Sequence, residues 1–139
     1  MSKRIFGIGF VACGIVGASG FSAAVSAQEG PYDFKSGKEV YENICQGCHM
    51  PDAKGASGAG AYPALSGNAK LVASVYPVLV ILQGLKSMPS FPELTDDQIA
   101  AVTNYIRTSY GNQFPDQVTA EQVKEFRSQA VHRQATRPG

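Results

Sequence analysis

Five consecutive positions, Cys45-Gln46-Gly47-Cys48-His49, carry two of the chain's 3 cysteines and one of its 2 histidines. Two thiols with two residues between them can bridge to each other, share a metal ion, or both bond to one prosthetic group. Each choice demands a different fold. A redox disulfide of this spacing belongs in a βαβ setting, with strands before and after it, and a zinc site needs a second pair of ligands elsewhere. What the rest of the chain can supply therefore decides the matter.

The third cysteine, Cys13, lies in a stretch that reads as something to be removed. Lys3 and Arg4 precede an apolar run from Ile5 to Val16, and Val25-Ser26-Ala27 has the small-residue pattern read by signal peptidase. Residues 1–27 are expected to be a signal peptide cleaved after Ala27. An uncleaved anchor competes with this, because the apolar and small residues from Ile5 to Ala27 run to about the length that spans a bilayer; Gly7, Gly9, Gly14, Gly17 and Gly20 dilute it. Lipidation of Cys13 is a third reading, opposed by the poor fit of Phe10-Val11-Ala12 to a lipoprotein signal. Membrane association would follow only from one of these two alternatives. Export removes Cys13 and leaves Cys45 and Cys48 without a structural partner in an oxidising compartment, the periplasm. Removal of Lys3 and Arg4 also leaves the 12 basic residues one short of the 11 acidic ones. With no basic run and no tryptophan, nucleic acid is excluded as a partner.

Residues 28–112 read as one helical domain. Ser36-Gly37-Lys38-Glu39 has the spacing of a capping box, followed by Val40, Tyr41 and Ile44 on one face, so a first helix should run from Gly37 into the cysteines. From Asp52 to Gly60 the composition falls to Gly, Ala, Ser and Lys, a loop, and Tyr62–Asn68 continues as irregular chain. A short helix is expected near Asn68–Ser74. Pro77 is placed to open another, with Gly84 as its stop. The segment 85–94, with Pro89 and Pro92, should be an ordered loop. Thr95 and Gln98 then repeat the capping box, and Ile99, Val102, Tyr105 and Ile106 form the stripe of a helix ending near Gly111. Residues 113–139 form an extension with one short helix, about 119–130, capped by Thr119 and Gln122 and frayed after Arg133. Its thin apolar side, Val123 and Phe126, either packs on its own domain or docks a partner.

No strand pair flanks the CxxCH run, and once the leader carrying Cys13 is removed no further cysteine remains for zinc, with His132 far off in the tail. The histidine that follows directly discriminates: both sulfurs become thioethers to a porphyrin, and the imidazole binds its iron. One covalent haem c is the expected cofactor, with Cys45 and Cys48 as attachment points and His49 as iron ligand. For the opposite ligand, Met50 is tethered on the wrong side by its adjacency to His49, and His132 would have to fold back from a solvated segment. Met88, in the loop stiffened by Pro89 and Pro92 and among polar neighbours Lys86, Ser87 and Ser90, is the remaining candidate. Its bland alternative is a core methionine.

The runs GKEVYENICQGCH, YPALSGN, MPSF and LTDDQIAAVTNYIRTSYGN, in that order over about residues 34–112, resemble class I c-type cytochromes, in particular bacterial monohaem domains associated with periplasmic alcohol and aldehyde dehydrogenases. The resemblance implies an all-α, small cytochrome c fold whose first and last helices cross beside the haem, with Gly37, Tyr41 and Tyr105 at the crossing. It also implies that the Pro63 carbonyl accepts the N–H of His49. Tyr62 departs from the pattern, since many members have glycine there.

Sulfur and imidazole on opposite faces leave no substrate position open, so the expected function is one-electron transfer rather than catalysis. The donor would be a periplasmic dehydrogenase, and an oxidase or another cytochrome the acceptor. A haem protein with a labile sixth ligand, a gas sensor or peroxidase-like enzyme, is the alternative. Lys54, Lys70 and Lys86 read as ordinary solvated charge rather than as a steering patch.

Overall fold

The computed structural model describes residues 30–58 and 61–135; the expected leader, with Cys13, lies outside the described residues. The first helical stretch starts where Ser36 caps it. Its Oγ accepts the Glu39 N–H at 3.2 Å while Glu39 Oε2 accepts the Ser36 N–H. The chain then runs through α1 (Gly37–Val40), a π-helical turn (Tyr41–Cys45) and α2 (Gln46–His49) without a break. The wide turn inserts one residue, Gln46 N–H reaching back to Tyr41 O. Such insertions gather at functional sites, and this one lies directly ahead of the second cysteine and the histidine.

Beyond α2 the loop carries a ladder of two residues per strand, β1 (Ala56–Ser57) antiparallel to β2 (Ala61–Tyr62), where irregular chain was expected. A 3₁₀ turn (Ala69–Val72) follows, capped by Asn68, whose Oδ1 accepts the Lys70 N–H. Helix α3 (Val75–Gln83) begins two residues before Pro77. The proline still falls in the first turn, where N–H groups have no helical acceptor, so nothing is lost. Gly84, at φ 72°, ends α3.

Helix α4 (Asp96–Thr108) carries the second capping box, Thr95 with Gln98, and stops three residues short of Gly111 because Tyr110 and Gly111 both turn left-handed. It crosses α1 at Gly37. A Cβ there would sit 2.0 Å from Ala101 O and 2.8 Å from Tyr105 Cβ, so only glycine lets the two backbones meet. Around that crossing Val40, Tyr41, Ile99, Val102 and Ile106 join Leu71, Val78 and Ile81 in one buried core. The architecture is helical, as the sequence implied.

Helix α5 (Ala120–Ala135) outruns the stretch expected for it and packs on α3 and α4. Val123 is fully buried and Phe126 partly so, hence the thin apolar side is taken up by the chain's own domain. The segment leading to it is tied down by two α4 side chains. Asn104 brackets Val118, donating Nδ2–H to its carbonyl at 2.9 Å and accepting its N–H at 2.8 Å. Arg107, completely buried, donates Nε–H to Leu71 O at 2.8 Å and Nη2–H to Val72 O and to Asp116 Oδ1, with Nη1–H on Asp116 O.

Candidate functional site

The π turn and α2 place Cys45 and Cys48 one helical turn apart, Cys45 partly buried against the core and Cys48 exposed. They stand unbonded to each other. Burial, followed by the nearby Cys48, pushes the Cys45 thiol up to about 12, so it is a neutral group facing apolar surroundings. Among the described residues no three His, Cys, Asp or Glu side chains converge on a metal-sized site. The donor set is therefore two thiols and one imidazole along one edge of a helix, which suits attachment and ligation of a metal-bearing organic group rather than a bare ion.

His49, at the end of α2 and buried, is oriented from behind. Its Nδ1–H donates to the Pro63 carbonyl at 2.9 Å, leaving Nε2 as the nitrogen free to bind a metal. The backbone beyond the histidine is held in an unusual shape. Met50 takes φ 67°, ψ 157°, a conformation nearly reserved for glycine. Three contacts fix this region: the buried Tyr41 hydroxyl donates to Met50 O at 2.8 Å, Ala53 N–H donates to the same carbonyl at 3.0 Å, and Gly55 N–H donates to His49 O at 3.1 Å. Gly55 also lets the proline segment close in, since a Cβ there would lie 2.1 Å from Tyr62 O and 2.8 Å from Pro63 C.

Three tyrosines sit behind this turn. Tyr41 lies 5.1 Å from Tyr110 and 5.8 Å from Tyr105, ring to ring, and the Tyr105 and Tyr110 hydroxyls meet at 3.1 Å. Burial raises the Tyr41 hydroxyl to about 12 and that of Tyr110 higher still, so both remain protonated. Tyr110 O in turn accepts from Gly67 N–H and Ser66 Oγ–H, and Asn112 Nδ2–H reaches Leu65 O, which ties the proline loop to the end of α4.

Met88 lies on a different element. It is partly buried against the same apolar core as Cys45 and Leu65, on a two-residue turn in which Leu85 and Met88 exchange backbone hydrogen bonds of 3.0 Å. Lys86 takes φ 55° at the turn's tip. Gly84 touches this turn closely, a Cβ there falling 2.7 Å from Met88 O. Tyr62, Val75, Tyr76 and Leu85, in the segments between His49 and Met88, show apolar side chains at the surface. His132 falls on α5.

Sequence reasoning did not anticipate the roles of Gly55, Gly84, Met50 or Arg107. The first two were visible only as loop and stop residues. Arg107 bonds mainly to backbone carbonyls, which leave no trace in a sequence.

A family model described as cytochrome C oxidase, cbb3-type, subunit III, matches residues 33–106. Cytochrome c-552 of Thermus thermophilus is 34% identical over 116 aligned residues, covering 68% of this chain and 86% of that protein. The fructose dehydrogenase cytochrome subunit of Gluconobacter japonicus is 34% identical over 109 residues, and the cytochrome c subunit of the quinone alcohol dehydrogenase of Gluconobacter oxydans is 31% identical over 107. In each of these two the match takes in only 22% of the relative's length.

Proposed function

The chain belongs to the cytochrome c family, and from that premise we propose that it is a periplasmic one-electron carrier in which Cys45 and Cys48 attach one haem c, His49 is the proximal iron ligand and Met88 the ligand opposite. Members of this family carry covalent haem c and act as electron carriers or as the cytochrome subunits of dehydrogenases, not as catalysts. Bound haem c supplies a single one-electron couple, and a thioether opposite an imidazole raises its potential.

The observation that carries the ligand assignment is His49. Its Nδ1–H on Pro63 O fixes both tautomer and ring plane, which is the support an iron-binding imidazole needs. Tyr41, Ala53 and Gly55 hold the backbone on its far side, so the ligand has little room to shift when the charge of the site changes. Met88 supplies the only other sulfur among the described residues besides Met50 and the two cysteines, and Met50 adjoins His49.

A dehydrogenase is the proposed donor, supported by the dehydrogenase cytochrome subunits among the relatives. An oxidase or another cytochrome is the proposed acceptor. The periplasmic placement rests on the leader-like residues 1–27, with cleavage after Ala27. Among the described residues no helix is long and apolar enough to cross a membrane.

The test is spectroscopic. Oxidised protein should show the weak near-infrared band of a methionine–iron bond, and Met88→Ala should abolish it, lower the potential and open the reduced form to carbon monoxide. Wild-type protein that lacks the band and takes up carbon monoxide rapidly when reduced would instead mark a labile sixth position, as in a gas sensor or a peroxidase-like enzyme.

A further inference from the structure

Helix α5 reaches the loop that carries Met88, and we propose that Arg127 is a positioning residue for that methionine, so that the C-terminal extension sets how firmly the sixth iron ligand is held. The proposal rests on Met88 being that ligand. Arg127 spreads its guanidinium over one short stretch of chain. Nη1–H donates to Pro92 O at 3.1 Å, Nη2–H to Leu94 O at 2.7 Å, and Nε–H to Asp96 Oδ1 at 2.8 Å. The planar fork meets all three acceptors at once, which a lysine ammonium cannot do.

The stretch it grips is anchored by burial of Leu94, by packing of Phe91 and by the Thr95 capping box, but has few other backbone hydrogen bonds. Between Met88 and the start of α4, Phe91 N–H donates to Ile81 O at 2.9 Å and Leu94 N–H to Phe91 O at a longer 3.3 Å. Pro89 and Pro92 have no N–H to give. The loop's polar ties are therefore the Leu85–Met88 pair at one end, the Phe91 N–H near its middle and Arg127 at the other. Arg127 is itself placed by its neighbours in α5, because Val123 and Phe126 lock the helix against the domain. Asp96 is buried at the head of α4, so the same guanidinium joins loop, α4 and α5 at one point.

The experiment compares full-length holoprotein variants by the affinity of ferric haem for imidazole, a ligand that must displace the methionine, and by amide exchange at Phe91 and Leu94. Arg127→Gln should bind imidazole about tenfold more tightly than wild type and exchange those amides faster, since the two charge-assisted bonds to the loop and the one to Asp96 are gone. Arg127→Lys, which retains the attraction to Asp96 without the fork, should fall between and serves if Arg127→Gln does not fold. Asp116→Asn loosens the other tie of the extension and should leave imidazole affinity unchanged. Arg127 variants within about twofold of wild type, or an equal rise in Asp116→Asn, would overturn the proposal. A wild-type spectrum without the methionine band would overturn the ligand reading itself, an outcome distinct from either.

Discussion

The two sides of the site are built in opposite ways. On the side of His49 the proposed ligand belongs to a helical stretch that also bears both cysteines, its ring is hydrogen-bonded to Pro63, and the chain after it is held by Tyr41, Ala53 and Gly55 in a conformation that Met50 would not adopt alone. On the side of Met88 the residue sits on an exposed turn, fixed by one backbone pair and by the close approach of Gly84, with Arg127 bonded only further along, at Pro92 O and Leu94 O. The proposed histidine ligand is held by several ties from three segments, the proposed methionine ligand mainly by its own turn. The lesson is about stability within the molecule: local openings should begin at the segment with fewer ties, so the methionine side should yield first under any stress that leaves the domain folded.

Two glycines test this difference at its strongest. Gly55 sits at φ 69° with space for no Cβ, 2.1 Å from Tyr62 O. Alanine there must push away the proline segment that orients His49, and we expect Gly55→Ala to cost at least about 3 kcal/mol and to depress the yield of haem-loaded protein sharply. Urea unfolding and haem content measure both. Gly84→Ala meets a softer obstacle, 2.7 Å from Met88 O on a turn with solvent around it. Its cost should be about 2 kcal/mol, with the protein still folded and haem-loaded but the near-infrared band weakened. If Gly84→Ala instead unfolds the protein while Gly55→Ala keeps a native spectrum, the assignment of stiff and soft sides is reversed.

Much of the fold was readable because its signals are local. All three capping boxes, Ser36 with Glu39, Thr95 with Gln98 and Thr119 with Gln122, form in the structure, since a hydroxyl and a side-chain carbonyl three residues apart have few other partners. The Cys-x-x-Cys-His run and the glycine stop of α3 are local in the same sense. The ladder of β1 and β2 escaped because two residues per strand leave no periodicity to detect. Arg107, Asn112 and Arg127 escaped for a different reason. Each is a polar side chain that bonds backbone carbonyls 30 to 50 positions away, and carbonyls are the same whatever residue bears them. The apolar side of α5 showed that the helix packs on something, and only the three-dimensional arrangement shows that it packs on α3 and α4.

The smallest effect concerns the tie that should not touch either proposed ligand. The Asp116 carboxyl is held below its usual range, chiefly by its hydrogen bond from Arg107. Because the folded value lies below the unfolded one, of about 3.9 for an aspartate, the pair adds stability at neutral pH and loses it as the solution is acidified through the folded value. Asp116 is 64% exposed, so water screens the pair and the contribution is modest. Asp116→Asn should lower the urea midpoint slightly at pH 7, and the gap to wild type should close as the pH falls below about 4. Arg107 keeps its bonds to Leu71 O, Val72 O and Asp116 O in the variant, so the buried guanidinium is never stranded. A gap that persists in acid would mean that geometry, not charge, is what Asp116 contributes. A variant that also weakens the methionine band would mean that the extension acts on the site as one body, rather than through Arg127 alone.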